Sequence, residues 1–158
     1  MHTSGSDAYL HDAVMTATPE QLQLMLYDGA IRFAMQGRDA ILAKDYETVY
    51  QRVSRAQKIV LEMQSGLRPE VNPSLCAQMA SLYNFIYRKL VEASINRDVA
   101  AADDALKILR HQRETWVMLM DKLKEEQAGA ARSAPKVPGR VPPRGQSEDS
   151  ETTLSVEV

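Results

Sequence analysis

Two links in this chain are almost too short to be loops, and they limit its fold more than any other feature. Residues 43–45 separate one long helical pattern from the next, and residues 96–98 do the same further on. Helices joined so tightly must run antiparallel as neighbours. The patterns on either side carry their own start signals. Thr18 is the expected N-cap of the first helix. Pro19 stands at N1, where a missing N–H is no loss, and Gln21 at N3 completes a capping box; Glu20 in the first turn suits the helix dipole. This helix is expected to run to about Ala43. Asp45 opens the second, which ends near Gly66. Asn72 with Pro73 opens the third, which runs to Asn96, and Asp98 opens the fourth, which ends near Gly129. The four segments span roughly 22 to 30 residues, or about 33–45 Å each.

No stretch of useful length alternates β-branched with polar residues, and the apolar period is helical throughout. The fold class is therefore all-α: an antiparallel up-down-up-down four-helix bundle over residues 18–129. Residues 1–17 form a short N-terminal segment, in which Tyr9, Leu10, Val14 and Met15 suit a helix too short to stand alone in water. After Ala130 the composition changes. RSAPKVPGRVPPRG is basic and rich in proline, QSEDSETTLSVEV is acidic, and residues 130–158 are expected to be a disordered tail.

Charge and motif content exclude several functions. A net charge of −2 with a pI near 5.9 argues against a nucleic-acid surface. No run of eighteen apolar residues exists, so no stable membrane insertion is expected. The first twelve residues, MHTSGSDAYLHD, lack the basic and apolar regions of a secretory signal, which points to the cytoplasm. The single cysteine, Cys76, sits in an apolar helical pattern and reads as a small buried hydrophobe. A bundle could house a metal pair, but none of His2, His11 and His111 has a glutamate three residues before it; His111 with Glu114 is one reversed pair. With no phosphate-binding loop, Cys–His cluster or nucleophile motif, neither an enzyme nor a metal or cofactor site is expected.

What remains is a surplus of apolar side chains. On the first long helix, Leu22, Met25, Leu26, Gly29, Ala30, Phe33, Gly37, Ala40 and Ile41 make a stripe broad enough to face a bundle core. Leu24, Ile31, Met35 and Leu42 make a second row on the other side. Ile95 on the third helix, and Ile108 and Leu119 on the fourth, also fall off their main stripes. A bundle needs one stripe per helix, so the extra rows call for another partner. Three candidates are the N-terminal segment, a second copy of the chain (a homodimer), and a helix from another protein laid in a groove. Eight methionines suit a surface that repacks around varied helices. Gly29, mid-helix, is expected at a close helix crossing, and Trp116 as a core or groove-wall anchor.

The stretch TATPEQLQLMLYDGAIRF, residues 16–33, resembles the opening motif of the flagellar secretion chaperones, the FliS family. SLYNFIYRKLVEASINRD and LRHQRETW resemble two later family segments, with agreeing spacings over residues 9–120. The resemblance implies a small cytoplasmic helical bundle that binds the C-terminal region of newly made flagellin, prevents premature polymerisation and presents it to an FlhA-type component of the type III export gate, without cofactors. Wheel geometry, not the resemblance, marks Leu24, Ile31, Met35, Ile95, Ile108 and Leu119 as the surface available to that partner. The resemblance also implies an N-terminal lid over the flagellin-binding surface, for which Leu10, Val14 and Met15 have the right character, and places Tyr9 where the family contacts the export gate; a plain anchor on the bundle is the alternative for Tyr9. The competing readings are a self-associating helical adaptor and a bundle that sequesters another helical regulator.

Overall fold

The structure, a computed structural model, describes residues 5–135. Five helices follow in order: α1 Gly5–Thr16, α2 Pro19–Leu42, α3 Tyr46–Ser65, α4 Pro73–Asn96 and α5 Val99–Ser133, with no strand among the described residues. Each long helix starts where its cap requires. Thr18 Oγ1 accepts from the Gln21 amide at 3.2 Å while Gln21 Oε1 accepts from the Thr18 amide at 3.0 Å, a complete capping box. Asp45, Asn72 and Asp98 each accept from the amide three residues on, those of Thr48, Leu75 and Ala101. Helices α2 to α5 pack in a ring, α2 on α3, α3 on α4, α4 on α5 and α5 on α2.

Both short links turn through a left-handed residue, Lys44 at φ 55° and Arg97 at φ 53°. They lie together: the Arg97 guanidinium sits 3.5 Å from the centre of the Tyr46 ring. This end of the bundle is thereby tied shut. Near it the core is dense and made largely of small and branched residues. Ala34 and Ala40 of α2, Val49, Val53 and Ala56 of α3, Leu90 and Ala93 of α4, and Ala101, Ala102 and Ala105 of α5 are buried. Small side chains let the axes approach. A Cβ built on Gly37 would lie 2.6 Å from Val53 Cγ2, and one on Gly29 3.1 Å from Ile59 Cδ1. Gly29 thus marks a close crossing, and Gly37 a tighter one.

Three details differ from the expectations. Tyr27 and Ala34 join the buried face of α2, whereas Leu22, Met25, Leu26 and Phe33 are only half-buried. α2 is flanked by α3 on one side and α5 on the other, so its buried arc is not centred on its most apolar row. α5 continues through Ser133 rather than ending near Gly129, so residues 130–133 belong to the helix and not to the tail. Alanines favour that continuation, Arg132 in the last turn complements the dipole, and the Ser133 hydroxyl donates to the Gly129 carbonyl at 2.9 Å. Residues 136–158 of the expected tail lie outside the described residues. Finally, α1 is a helix but buries no residue.

Candidate partner-binding groove

Away from the two short links the core stops before the helices do. In α2, the first buried side chain is Tyr27, eight residues after the helix starts at Pro19. In α4 it is Tyr83, ten residues after Pro73. In α5 the last is Gln112, although the helix continues to Ser133. α3 differs: its last buried residue is Met63, and it ends two residues later at Ser65. Three helices therefore run on past the layer formed by Tyr27, Met63, Tyr83 and Gln112, while the fourth stops at it. The result is a groove of about 680 Å³, with that layer as its floor.

Its walls are mostly apolar. Leu75, Cys76, Met79 and Leu82 of α4 line one side, Trp116 and Leu119 of α5 another, and Leu67 and Val71 of the α3–α4 link a third. Leu75, Leu82, Leu119 and Val71 are exposed. Trp116 is the groove-wall anchor: its indole N–H donates to the Glu20 carbonyl in the first turn of α2 at 3.0 Å, so α5 and α2 stay together where the core has ended. Arg113 reinforces the same junction by pairing with Asp28, which raises the guanidinium pKa, chiefly through their hydrogen bond.

The floor carries buried polar groups, while Arg68, Asn72, His111 and Thr115 add polar groups around the walls. The hydroxyls of Tyr27 and Tyr83 are 3.0 Å apart, and Gln23 Nε2 donates to Tyr83 at 3.5 Å. Burial, and then the bond to Tyr27, push the Tyr83 pKa upward from 10.0, so the phenol stays neutral. Beside them, Gln112 is 94% buried by its 6% exposure, yet neither its amide nitrogen nor its carbonyl oxygen has a hydrogen-bond partner within the chain. No cluster of potential metal ligands occurs among the described residues.

Of the residues marked from sequence as partner-binding, Leu119 lies in this groove. Ile31 and Ile108 rest half-buried against the core, so the surplus rows on α2 and α5 are narrower than the helical wheel suggested. Leu24 is half-buried, whereas Met35 and Ile95 are exposed, Ile95 by 74%. In α1, Tyr9, Leu10, Val14 and Met15 are all exposed, and Tyr9 borders a shallow hollow shared with Met25 at the start of α2. Sequence reasoning did not pick out the groove itself. Leu75, Met79 and Leu82 follow a regular helical spacing and look like any core stripe; only the early end of α3, at Gly66, signalled that part of that stripe lacks a fourth wall.

Comparison with known proteins settles the lineage. The family model described as flagellar protein FliS matches residues 2–123. This chain belongs to the FliS family. A relative in Bacillus subtilis, a flagellar secretion chaperone FliS, is 30% identical over 123 residues, covering 78% of this chain and 91% of its own length. The Salmonella typhimurium chaperone of the same name is 28% identical over 124 residues, covering 75% of this chain and 92% of its own. A solved structure described as a flagellar chaperone from bacteria overlays with a TM-score of 0.62 at 15% identity, covering 75% of this chain and 99% of that one, and shows the same fold. The FliS-family match spans α1 to α4 and most of α5, and so includes every wall of the groove.

Proposed function

We propose that this chain is a cytoplasmic export chaperone that binds the disordered C-terminal region of flagellin, prevents its premature polymerisation and delivers it to the FlhA-type component of the flagellar type III export gate. The observation that carries this reading is the open end of the bundle: a groove with apolar walls, broad enough for side chains from a helix, in a chain whose relatives are flagellar secretion chaperones. A client segment that is disordered alone and helical when bound loses conformational entropy on ordering, and apolar burial has to offset that loss. Covering roughly 1,500 Å² of apolar area yields some tens of kcal/mol gross at about 25 cal/mol per Å², of which little survives as affinity. Contact therefore extends beyond one groove. Leu119 lies inside it; Leu24, Ile31, Met35, Ile95 and Ile108 are the proposed outlying contacts. α1, with Leu10, Val14 and Met15, acts as a lid over client-binding surface, and Tyr9 faces the export gate.

Titration calorimetry with the C-terminal segment of the host's own flagellin, run at several temperatures, tests this. Saturable binding with a large negative heat-capacity change, weakened by Met79→Glu in the groove wall, is the expected outcome. No saturable binding refutes the reading. A mass that rises with protein concentration and is not reversed by the segment points instead to a homodimer formed through the same apolar surface.

A further inference from the structure

Leu75, Leu82 and Leu119 are exposed along the groove walls, and apolar surface held open in this way favours any segment that covers it. α1 is not placed to do so, because it borders the hollow beside Gln21 and Met25 and lines no part of the groove. The segment that follows α5 is placed differently. α5 forms one wall with Trp116 and Leu119 and then runs on to Ser133, about 21 Å of helix beyond Leu119. Past Ser133 the sequence carries Pro135, Pro138, Pro142 and Pro143, then an acidic stretch, then TTLSVEV, in which Leu154, Val156 and Val158 alternate with Ser155 and Glu157. Alternation at period two puts three apolar side chains on one face of an extended segment. All of this lies beyond the family match, which stops at residue 123. Length decides whether the segment reaches the groove. A coil of about 21 residues, the separation of Ser133 from Leu154, has a root-mean-square span of about 25 Å, and fully extended it covers about 70 Å. The way back to Leu119, about 21 Å, matches the first figure closely. A tethered segment whose span fits its target acts at an effective concentration on the order of 1 mM.

We propose that residues 152–158 fold back into the chain's own groove, seating Leu154, Val156 and Val158 against Leu75, Met79 and Trp116 and covering Cys76, so that a client has to displace them. The competition with a client rests on the chaperone reading above; the seating itself does not. The groove is open on one side, so the segment's backbone, Ser155 and Glu157 stay in contact with water, and no sheet edge is needed to pair its amides. Three aliphatic side chains make a weak guest, and tethering compensates. A dissociation constant of about 0.5 mM against an effective concentration of about 1 mM fills the groove about two-thirds of the time. Apparent client affinity then falls about threefold. A long client still wins against such cover, and until it arrives the apolar walls are shielded.

The test uses the full chain and its triple variant Leu154→Ser, Val156→Ser, Val158→Ser, whose changes lie outside all five helices. Cys76 is the single cysteine and lines the groove, so its alkylation by iodoacetamide reports on cover. The parent chain is expected to react about threefold more slowly than the variant, and a peptide of residues 146–158 at about 1 mM should slow the variant to the parent's rate. The variant should also bind the C-terminal flagellin segment about threefold more tightly. Equal alkylation rates in the two chains overturn the proposal. Protection that grows with protein concentration overturns it too, because the segment then enters a second copy. Equal client affinity with Cys76 protected in the parent overturns the competition. If neither chain binds the flagellin segment while the parent's Cys76 is protected, the self-cover stands and the chaperone reading fails.

Discussion

Gly37→Ala opposes two effects of known sign, and the structure says which wins. Alanine is better than glycine in a helix interior by about 1 kcal/mol. Against that gain, the new methyl would lie 2.6 Å from Val53 Cγ2, with the Val53 nitrogen at 3.6 Å behind it. Carbon atoms pack at about 3.5–4.0 Å, so something must yield by about 1 Å. Val53 cannot yield cheaply. It is 2% exposed and β-branched within α3, where one χ1 rotamer dominates. The axes of α2 and α3 must then separate across a close-packed interface, and overpacking of this kind costs about 1–3 kcal/mol. With Val53 held in place the cost falls in the upper part of that range, about 2–3 kcal/mol, and the net expectation is a loss of about 1–2 kcal/mol, against little loss or a slight gain for Gly29→Ala, whose contact is the far end of the half-buried Ile59 side chain at 3.1 Å. Urea unfolding followed by circular dichroism at 222 nm measures this directly: the midpoint should fall for Gly37→Ala with an unchanged slope. Pairing Gly37→Ala with Val53→Ala should recover part of the loss. A Gly37→Ala protein as stable as the parent would refute the claim that this crossing sets the α2–α3 distance.

Three other outcomes are expected. Because the folded pKa of Tyr83 is raised above 10.0, the unfolded chain loses this proton first; stability is intact below about pH 10 and falls as pH rises above it, and Tyr83→Phe should flatten that fall in urea midpoints measured between pH 8 and 11. Thr18→Ala removes the hydroxyl half of the capping box and should lower stability by about 1 kcal/mol, with faster hydrogen exchange at the Gln21 amide, which would be unaffected if the cap were dispensable. Deleting residues 1–15 should leave the thermal midpoint within about 2 °C of the parent, because α1 buries no residue, while client affinity rises if α1 covers the binding surface; a large fall in the midpoint would show α1 to be part of the fold.

Helix starts were legible because capping is local: Thr18, Asp45, Asn72 and Asp98 satisfy backbone amides three residues away, and no distant segment is needed to decide that. The two short links likewise left one way to arrange neighbouring helices. The end of α5 was misjudged at Gly129, since a lone glycine followed by alanines only weakens a helix. The binding surface was legible in part. The wheel detected too many apolar residues for four stripes, but assigned Ile31 and Ile108 to a free surface where neighbouring helices half-cover them.

The sequence by itself determined four capped amphipathic helices, their antiparallel order and an apolar surplus beyond what a closed bundle consumes, because each of these follows from residues within a few turns of one another. Only the tertiary structure decided where the surplus collects and that Gln112 is buried without a partner. Those depend on the relative lengths of helices that meet from distant parts of the chain: α3 stops at the layer of Tyr27, Met63, Tyr83 and Gln112, the other three do not, and no periodicity within a single helix records where its neighbour ends.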